Sequence, residues 1–295
     1  MSTSKKNSPL SCIELSKKNL IHNIKEFRSM IKKGVKIAAV IKGNAYGHGQ
    51  NEIASVFEPY VDYFQVNSIE ELELLRKVSK KEALIMGYVD KSNIRKAIRL
   101  GAIISVFSVE ELEEVNRVAE GLKVKQKIQI PIDAYFGREG FLLNELLNVF
   151  AKIKQCKSVT LWGVYAHFAN IEDTPDFSHA KKQIKKYKKA LALMREFDFP
   201  KIKTHISATS GLLVYEKNSG VNSLVRLGIG LYGIWPSKYI KFRCQKKLTL
   251  TPVLAWKTKV AQIKILPKGS TVGYGLTYRT NKETKIAVIP QGYAN

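Results

Sequence analysis

Residues 36–49 read Lys-Ile-Ala-Ala-Val-Ile-Lys-Gly-Asn-Ala-Tyr-Gly-His-Gly. The first six form a short, nearly continuous apolar run, which is typical of a strand buried on both faces of a parallel sheet. The next eight are mostly small or polar and include three glycines, which favour a loop. The stretch therefore predicts a buried strand whose carboxyl end opens into a polar loop.

Similar apolar runs alternate with longer amphipathic stretches over much of the chain. Helical periodicity is clearest at residues 68–78, 109–118 and 179–197. Eight strands separated by helices predict an α/β fold, a parallel (β/α)8 TIM-type barrel, with an open doubly wound sheet as the alternative. The eight predicted strands cover residues 36–41, 61–66, 83–88, 102–107, 127–133, 160–166, 202–207 and 224–229.

The character of the sequence changes at about Ser237. Strand-like runs at 248–254, 256–265, 270–272 and 285–290 are joined by Pro-Lys-Gly and Asn-Lys-Glu turns, with no helical pattern between them. We therefore expect a barrel domain over residues 1–236 and an incomplete, all-β C-terminal domain over residues 237–295. Residues 1–15 are available to pair with the β-domain.

Composition narrows the class of protein. The chain has 295 residues, 45% hydrophobic and 25% charged, which fits a globular protein and excludes a disordered or fibrous one. Cys12, Cys156 and Cys244 lie too far apart for a zinc or redox motif and predict free thiols. The N-terminus lacks the apolar core of a secretory signal, and no apolar run has the length of a membrane span. We expect a cytoplasmic protein with no bound metal.

The net charge of +24 raises the question of nucleic acid or acidic membranes as partners. The lysines are scattered along the chain rather than clustered with arginine and aromatic residues, so the sequence favours neither. The densest run, residues 181–189, has the spacing of the solvated face of one helix.

Lys42 stands at the end of the first apolar run. A lysine there is partly desolvated, and desolvation favours the neutral amine that forms Schiff bases. The alternative, from the residue alone, is a side chain that extends from the strand end into solvent.

The segment from Val40 to Gly49 closely resembles the cofactor-lysine segment of the bacterial alanine racemases, which are fold-type III enzymes with an N-terminal barrel and a C-terminal β-domain. The resemblance implies pyridoxal 5'-phosphate as cofactor. It implies that Lys42 binds the cofactor covalently and serves as one catalytic base, and that Tyr46 contacts the cofactor phosphate.

Two further segments extend the resemblance. Residues 133–140, Asp-Ala-Tyr-Phe-Gly-Arg-Glu-Gly, imply that Arg138 bonds the phenolic oxygen of the cofactor and lies near the substrate carboxylate. Residues 164–170, Val-Tyr-Ala-His-Phe-Ala-Asn, imply that His167 lies beside the pyridine ring. Taken alone, Arg138 could be a surface residue in a turn and His167 a structural histidine.

Two later segments imply contacts with the phosphate and the ring nitrogen of the cofactor. Residues 204–211 resemble the segment in which Ser210 donates to the phosphate, although the same residues could simply cap a helix. Residues 225–233 imply that Arg226 faces the pyridine nitrogen and that the amides of Gly228 and Ile229 bind the phosphate. A charged arginine cannot protonate that nitrogen, which favours racemisation over decarboxylation.

Two tyrosines near the end of the chain complete the implied site. Tyr274 resembles the catalytic tyrosine that enters the active site of the other subunit, and Tyr293 resembles a substrate-contacting tyrosine near the entrance. Because the two bases come from different subunits, the resemblance implies a homodimer with shared active sites. A tyrosine in a strand is otherwise ordinarily a packing residue.

The chain departs from the family pattern in several places. Pro131 stands where the family often has a modified lysine that steadies the arginine, so we expect Arg138 to be held by an anion or by Glu139. Thr209 replaces an asparagine and Tyr135 a glycine. The family continues beyond the position of Asn295, so the resemblance implies a chain truncated in its C-terminal domain, with a recoded stop codon as one hypothesis.

The resemblance implies an alanine racemase that interconverts L- and D-alanine, for peptidoglycan precursors, by two-base proton transfer at Cα. Two alternatives stay open at this point. One is a non-catalytic pyridoxal-phosphate-binding homeostasis protein on the same barrel, which would lack a β-domain. The other is an amino-acid racemase of broader specificity.

Overall fold

The structure is a computed structural model that describes residues 9–172, 174–199, 201–219 and 221–292. Its contacts divide the chain into two compact units. The larger comprises Lys17–Val253, and among the described residues the smaller joins residues 9–16 with residues 254–292. The sequence-based boundary at 236/237 therefore falls inside the larger unit.

The larger unit is an eight-stranded parallel barrel, which confirms the predicted fold class. Strand β1 (Ser11–Leu15) belongs to the smaller unit, so the barrel begins at β2. The barrel strands are β2 (Lys36–Val40), β3 (Tyr63–Val66), β4 (Ala83–Ile85), β5 (Ala102–Ser105), β6 (Gln126–Pro131), β7 (Val159–Tyr165), β8 (Lys203–His205) and β9 (Leu224–Leu227).

Helices connect successive strands. They are α1 (Lys17–Met30), α2 (Lys42–Tyr46), α3 (Gln50–Phe57), α4 (Ile69–Arg76), α5 (Ile94–Arg99), α6 (Val109–Gly121), α7 (Leu146–Gln155), α8 (Ser178–Arg195), α9 (Thr209–Ser219) and α10 (Lys238–Cys244), with short 3-10 turns at Lys91–Asn93 and Ile229–Tyr232. Among the described helices, none is long and apolar enough to cross a membrane.

The barrel closes between its first and last strands, which excludes the doubly wound alternative. The paired strands run in the order β8-β7-β6-β5-β4-β3-β2-β9. The remaining seam between β8 and β9 is joined by Ser223 N–H, which donates to Thr204 O at 2.8 Å, and by Arg226 N–H, which donates to Ser207 O at 3.0 Å. These bonds leave no open edge at the seam.

The barrel interior is filled by side chains in layers, as this architecture requires. One buried cluster combines aliphatic and aromatic side chains: Ala38, Tyr63, Leu84, Ile103, Trp162 and Leu224. Because inward-facing positions recur every second residue along a strand, the next layer toward the carboxyl ends contains Gln65, Ser105 and Arg226. The interior thus changes from apolar to polar below the carboxyl ends of the strands.

Serine caps set where two of the helices begin. The side chains of Ser68 and Ser108 accept hydrogen bonds from the N–H groups of Glu71 and Glu111, and both first turns carry two glutamates. The sequence predicted these two helices from the same acidic starts. The caps fix the ends of β3 and β5 and hold the loops above them in place.

The smaller unit consists of short antiparallel pairs. Strand β1 pairs with β10 (Leu254–Thr258), β11 (Gln262–Leu266) pairs with β14 (Thr284–Val288), and β12 (Thr271–Val272) pairs with β13 (Tyr278–Arg279). The predicted strand at 256–265 is in fact split between β10 and β11. This unit holds Tyr274, which is fully exposed to solvent there.

Two expectations for the region after Ser237 were wrong. Helix α10 forms where no helical pattern was recognised, because Ser237 caps it and Ile240 and Cys244, one turn apart, are both buried. Residues 248–253 do not form the predicted strand. Their N–H groups bond side chains of α1 instead: Thr249 N–H donates to Glu26 and Thr251 N–H to Asn23.

Candidate active site

A cavity of about 180 Å³ lies at the carboxyl ends of the barrel strands. It brings together six of the residues predicted for the site and adds several that were not predicted. The predicted residues are Lys42, Tyr46, His167, Arg226, Gly228 and Ile229, and the additional ones are Val40, Gln65, Glu172, Ala208 and Thr209.

The remaining predicted residues lie elsewhere. Ser210 follows the lining residue Thr209 and is buried, at 2% exposure. Arg138 is exposed on the loop after β6 and is not among the lining residues. Tyr274 belongs to the smaller unit, and Tyr293 lies outside the described residues.

Lys42 begins an unusual left-handed turn at the end of β2. The φ angles of Gly43, Asn44, Ala45 and Tyr46 are 60°, 51°, 54° and 53°. This conformation costs roughly 1–2 kcal/mol for each residue other than glycine, and Asn tolerates it better than most. The Gly-Asn pair of the sequence was therefore a local signal for the turn, which the sequence analysis did not use.

Hydrogen bonds hold this turn in place. Ala45 N–H donates to Ile41 O at 2.9 Å, and Gly43 N–H donates to the Glu71 carboxylate at 2.7 Å. Ile41 N–H in turn bonds Gln65 O at 2.9 Å, which continues the sheet register up to Lys42. The turn brings the Tyr46 hydroxyl close to Gly228, where a Cβ atom would lie only 2.6 Å from the hydroxyl oxygen.

Arg226 supplies a buried positive charge in the layer below the cavity. It is 2% exposed, and its guanidinium donates to Ala166 O at 3.0 Å and His205 O at 3.2 Å. It also bonds Nδ1 of His205 and, at 3.2 Å, Nδ1 of His167. Burial lowers the pKa of Arg226 to about 10, which leaves the guanidinium charged at neutral pH.

Both histidines around Arg226 are neutral. Burial, followed by the charge of Arg226, lowers the pKa of His167 to about 3. The same two causes lower the pKa of His205 well below its usual value. Tyr165 stacks on His205 with ring centroids 5.3 Å apart. His205 was missed as a site residue because its role depends on packing beneath the cavity.

An anion cradle forms where α9 begins and where β9 ends. Thr209 Oγ1 accepts from the N–H groups of Gly228 and Gly230 at 3.4 Å each. Ser210 Oγ donates to Oε1 of Glu172 at 2.7 Å. The Ser210 hydroxyl, to which the resemblance assigned the cofactor phosphate, thus donates to a carboxylate in this structure.

Glu172 is held in this position by its backbone. The Ser237 hydroxyl donates to Glu172 O, while the residue itself is exposed. Burial, followed by the Glu172 carboxylate, raises the pKa of Tyr46. Glu172 was missed in the sequence because an exposed acidic loop residue carries no motif.

Arg138 pairs with its neighbour in the chain. Its guanidinium bonds both carboxylate oxygens of Glu139, one of them at 2.6 Å, and lies 4.4 Å from the centroid of the Phe136 ring. Phe136 packs against His167, with centroids 5.3 Å apart. Glu139 is therefore the partner of Arg138 in a chain that has Pro131 in place of a lysine, as one of the two sequence-based expectations had it.

The residues present fit pyridoxal phosphate. Lys42 offers a primary amine, the cradle offers donors for a phosphate, and Arg226 offers a buried cation below the cavity. Among the described residues, no group of His, Cys, Asp or Glu side chains is arranged to hold a metal ion.

Comparison with known proteins agrees with this arrangement. The alanine racemase N-terminal domain matches residues 15–236, and the alanine racemase C-terminal domain matches residues 253–295. An alanine racemase of Leptospira interrogans is 32% identical over 300 aligned residues, which cover 99% of this chain and 75% of the relative.

Two solved structures illustrate the range of similar proteins. The alanine racemase of Clostridium difficile superposes with a TM-score of 0.89 at 29% identity, covering 98% of this chain and 75% of that one. A histidine racemase of Leuconostoc mesenteroides superposes with a TM-score of 0.83 at 26% identity, covering 98% of this chain and 76% of that one.

The neutral histidines predict a pH dependence of stability. An unfolded histidine titrates near pH 6.5, so between about pH 6.5 and 3 the unfolded state binds a proton that folded His167 does not. The free energy of unfolding should therefore decrease as the pH is lowered through this window, by up to about 1.4 kcal/mol per pH unit for this residue. His167→Gln should flatten the slope by that amount in urea denaturation series; identical slopes would contradict the neutral assignment.

Glu172 predicts an effect on anion binding. Glu172→Gln keeps an acceptor for Ser210 but removes a charge that opposes a phosphate in the cradle. We expect pyridoxal phosphate and inorganic phosphate to bind about tenfold more tightly, as measured by equilibrium dialysis. Asp176→Asn, an exposed carboxylate on the same loop, is the matched control and should change neither affinity. Equal affinities in wild type and Glu172→Gln would contradict the role of Glu172.

Proposed function

The chain belongs to the alanine racemase family, and from this premise we propose that it interconverts L- and D-alanine with pyridoxal phosphate as cofactor. The observation that carries the proposal is the convergence of Lys42, the anion cradle and the buried cation Arg226 on one cavity. When bound, pyridoxal phosphate withdraws electrons from the substrate Cα and thereby weakens its C–H bond.

The cavity residues divide the work of binding. We assign the cofactor phosphate to Ser210, Tyr46 and the amides of Gly228 and Ile229, which border the cradle. Arg226 would face the ring nitrogen of the bound cofactor and would stay charged there, because burial lowers its pKa only to about 10. A group that keeps its own proton does not protonate that nitrogen, and this limits the reaction to exchange of the Cα proton.

In this proposal His167 and Arg138 help to orient the cofactor and the substrate. His167 is neutral and accepts from Arg226 through Nδ1, which fixes the ring and leaves Nε2 as the protonated nitrogen. Arg138, held by Glu139, binds the cofactor's phenolic oxygen and the substrate carboxylate in this proposal. Tyr293 would contact the substrate at the entrance.

Two bases exchange the proton at Cα. Lys42 holds the cofactor and transfers a proton on one face, and Tyr274 of a second copy transfers a proton on the opposite face. Two bases on opposite faces account for inversion, and their separate origins require a homodimer. The fully exposed side chain of Tyr274 within its unit is compatible with a role outside that unit. A cytoplasmic location and a supply of D-alanine for peptidoglycan belong to the same proposal.

A second candidate is a racemase of broader substrate range. The likeness to a histidine racemase favours it, because similar barrels serve different side chains. Assays of D/L exchange with alanine, serine, lysine and histidine separate the two candidates. Exchange confined to alanine would support the first, and comparable rates with larger side chains would support the second.

The cofactor attachment is tested directly. Purified protein incubated with pyridoxal phosphate should absorb in the visible region, and borohydride should abolish this band and leave the label on the peptide that contains Lys42. Lys42→Ala should lose both the label and nearly all racemisation, since it loses the attachment and one base; a general base alone is worth roughly 10²–10⁴-fold. A label found on other lysines but not on Lys42 would exclude the proposed function.

The role of Tyr274 is tested by comparing how its substitution affects reaction from L-alanine and from D-alanine. Tyr274→Phe removes the hydroxyl but keeps the ring, so the rates at which L- and D-alanine exchange their Cα hydrogen should fall unequally, by roughly 10²-fold or more for the affected enantiomer. The measurement is Cα hydrogen exchange into D₂O from each enantiomer. Tyr278→Phe, an exposed tyrosine of the same unit, is the control. Equal losses from both enantiomers would contradict the two-base assignment.

A further inference from the structure

A second concave surface lies between helix α8 and the loop that follows β6. We call it the lysine groove. It has a volume of about 190 Å³ and is lined by two residues of the loop and four lysines of the helix: Tyr135, Leu143, Lys182, Lys185, Lys186 and Lys189. It shares no lining residue with the cavity at the carboxyl ends of the strands, and no carboxylate is among its lining residues.

The four lysines of the groove stand on one face of α8. They are separated by three or four residues, so they occupy only about 10 Å along the helix axis. Like charges at these spacings destabilise a helix. The first turn of α8 also contains no acidic residue, so nothing there offsets lysines placed toward the positive end of the helix dipole. Helix stability therefore gives no reason for this arrangement of charge.

The charge of the groove is not neutralised by ion pairs. Other lysines of the chain do pair with carboxylates, as Lys36 does with Asp62 at 2.8 Å. Among the described residues, none of the four groove lysines has such a partner. Asp176, just before α8, is close enough for its charge to interact with Lys182, but its carboxylate accepts hydrogen bonds from Ser178 instead. The groove is thus a concentrated positive charge that is open to an external anion.

Tyr135 shapes the other wall of the groove. It replaces the glycine expected from the resemblance and keeps a φ angle of 64°, a left-handed conformation that is costly for a residue with a side chain. Its carbonyl accepts from Nε2 of His179 at 3.2 Å, and Nζ of Lys186 lies 4.1 Å from the centroid of its ring. The ring thereby holds Lys186 in the groove instead of letting it extend to solvent, so one wall and one charge are in place before a ligand binds.

We propose that the lysine groove binds the phosphate chain of a polyphosphate ligand, supplied by a nucleoside triphosphate or by inorganic polyphosphate. Lysine ammonium groups bind phosphate oxygens as point charges, and several of them close together favour a ligand that carries several phosphates in a short chain. A concave surface encloses part of a small ligand. A flat membrane surface, by contrast, would contact exposed lysines inside and outside the groove alike.

Two other lysines of α8 provide an internal comparison. Lys181 and Lys188 belong to the same helix and carry the same charge, but they do not line the groove. The solvated face of a helix is a sufficient explanation for them. Binding that depends on the groove should distinguish the two sets of lysines, whereas attraction by the net charge of +24 should not.

The test measures protection of individual lysines by inorganic tripolyphosphate. Trace acetylation of the full chain, read by mass spectrometry at an ionic strength of about 0.15 M, should slow at the four groove lysines and stay unchanged at Lys181 and Lys188. Protection of Lys186 as a function of tripolyphosphate concentration gives a Kd for the groove itself, separate from any binding in the anion cradle.

Two double variants that lose equal charge separate the groove from the rest of the helix. Lys182→Gln combined with Lys189→Gln should weaken the Kd by about tenfold, because two of the four charges are lost. Lys181→Gln combined with Lys188→Gln should change it by less than about twofold. Both variants keep Lys186 as the reporter.

The same titration with ATP distinguishes the two sources of the phosphate chain. A tighter Kd for ATP supports a nucleoside triphosphate, and an equal or weaker one supports inorganic polyphosphate. Absence of protection in wild type, or equal weakening in both double variants, overturns the proposal. Protection by single-stranded RNA or by anionic lipid vesicles but not by tripolyphosphate also overturns it, in favour of a larger acidic partner. None of these measurements uses racemisation, so the outcome is independent of the proposed function.

Discussion

The buried charge of Arg226 is the constraint on which the site depends. A guanidinium without solvent is stable only when its donors are paired, and here they are shared among two backbone carbonyls and two imidazoles. Its partners come from the ends of β7 and β8, so one side chain ties three strands together where the barrel closes. Burial, together with this charge, lowers the pKa of His167 and keeps its ring neutral, and the hydrogen bond from Arg226 fixes which ring nitrogen accepts.

The left-handed turn after Lys42 depends on this frame. Four residues in succession adopt φ angles near 55°, and this strain persists because Glu71 and the sheet register hold the turn from both sides. The turn carries Tyr46 to Gly228, where only glycine leaves room for the hydroxyl. The strained turn at the end of β2 thus brings Tyr46 next to Gly228, which is far away in the sequence. This contact forms one side of the anion cradle.

Much of the architecture could be predicted from the pattern of residues. All eight barrel strands were expected, because short apolar runs between amphipathic stretches record burial on both faces. The predictions of secondary structure were wrong where packing between distant residues outweighed the local pattern of apolar and polar residues. Helix α10 is short and has only two buried positions. The N–H groups of Thr249 and Thr251 bond the side chains of Glu26 and Asn23, which are far away in the sequence, instead of a neighbouring strand. Neither arrangement leaves a periodic signal.

For the site, the family resemblance of motifs at strand ends predicted Lys42, Tyr46, His167, Arg226, Gly228 and Ile229, and the barrel, which gathers strand ends, brings these six residues to one cavity. The folded structure alone revealed Glu172 against Ser210 and the unpartnered amide oxygen of Gln65 in the cavity lining, whereas Glu139 had been expected from the sequence as one of two partners for Arg138. Motifs record what a residue is and which residues adjoin it in the chain. Whether a polar atom finds a partner depends on distances between strands and loops, and those exist only once the barrel has closed.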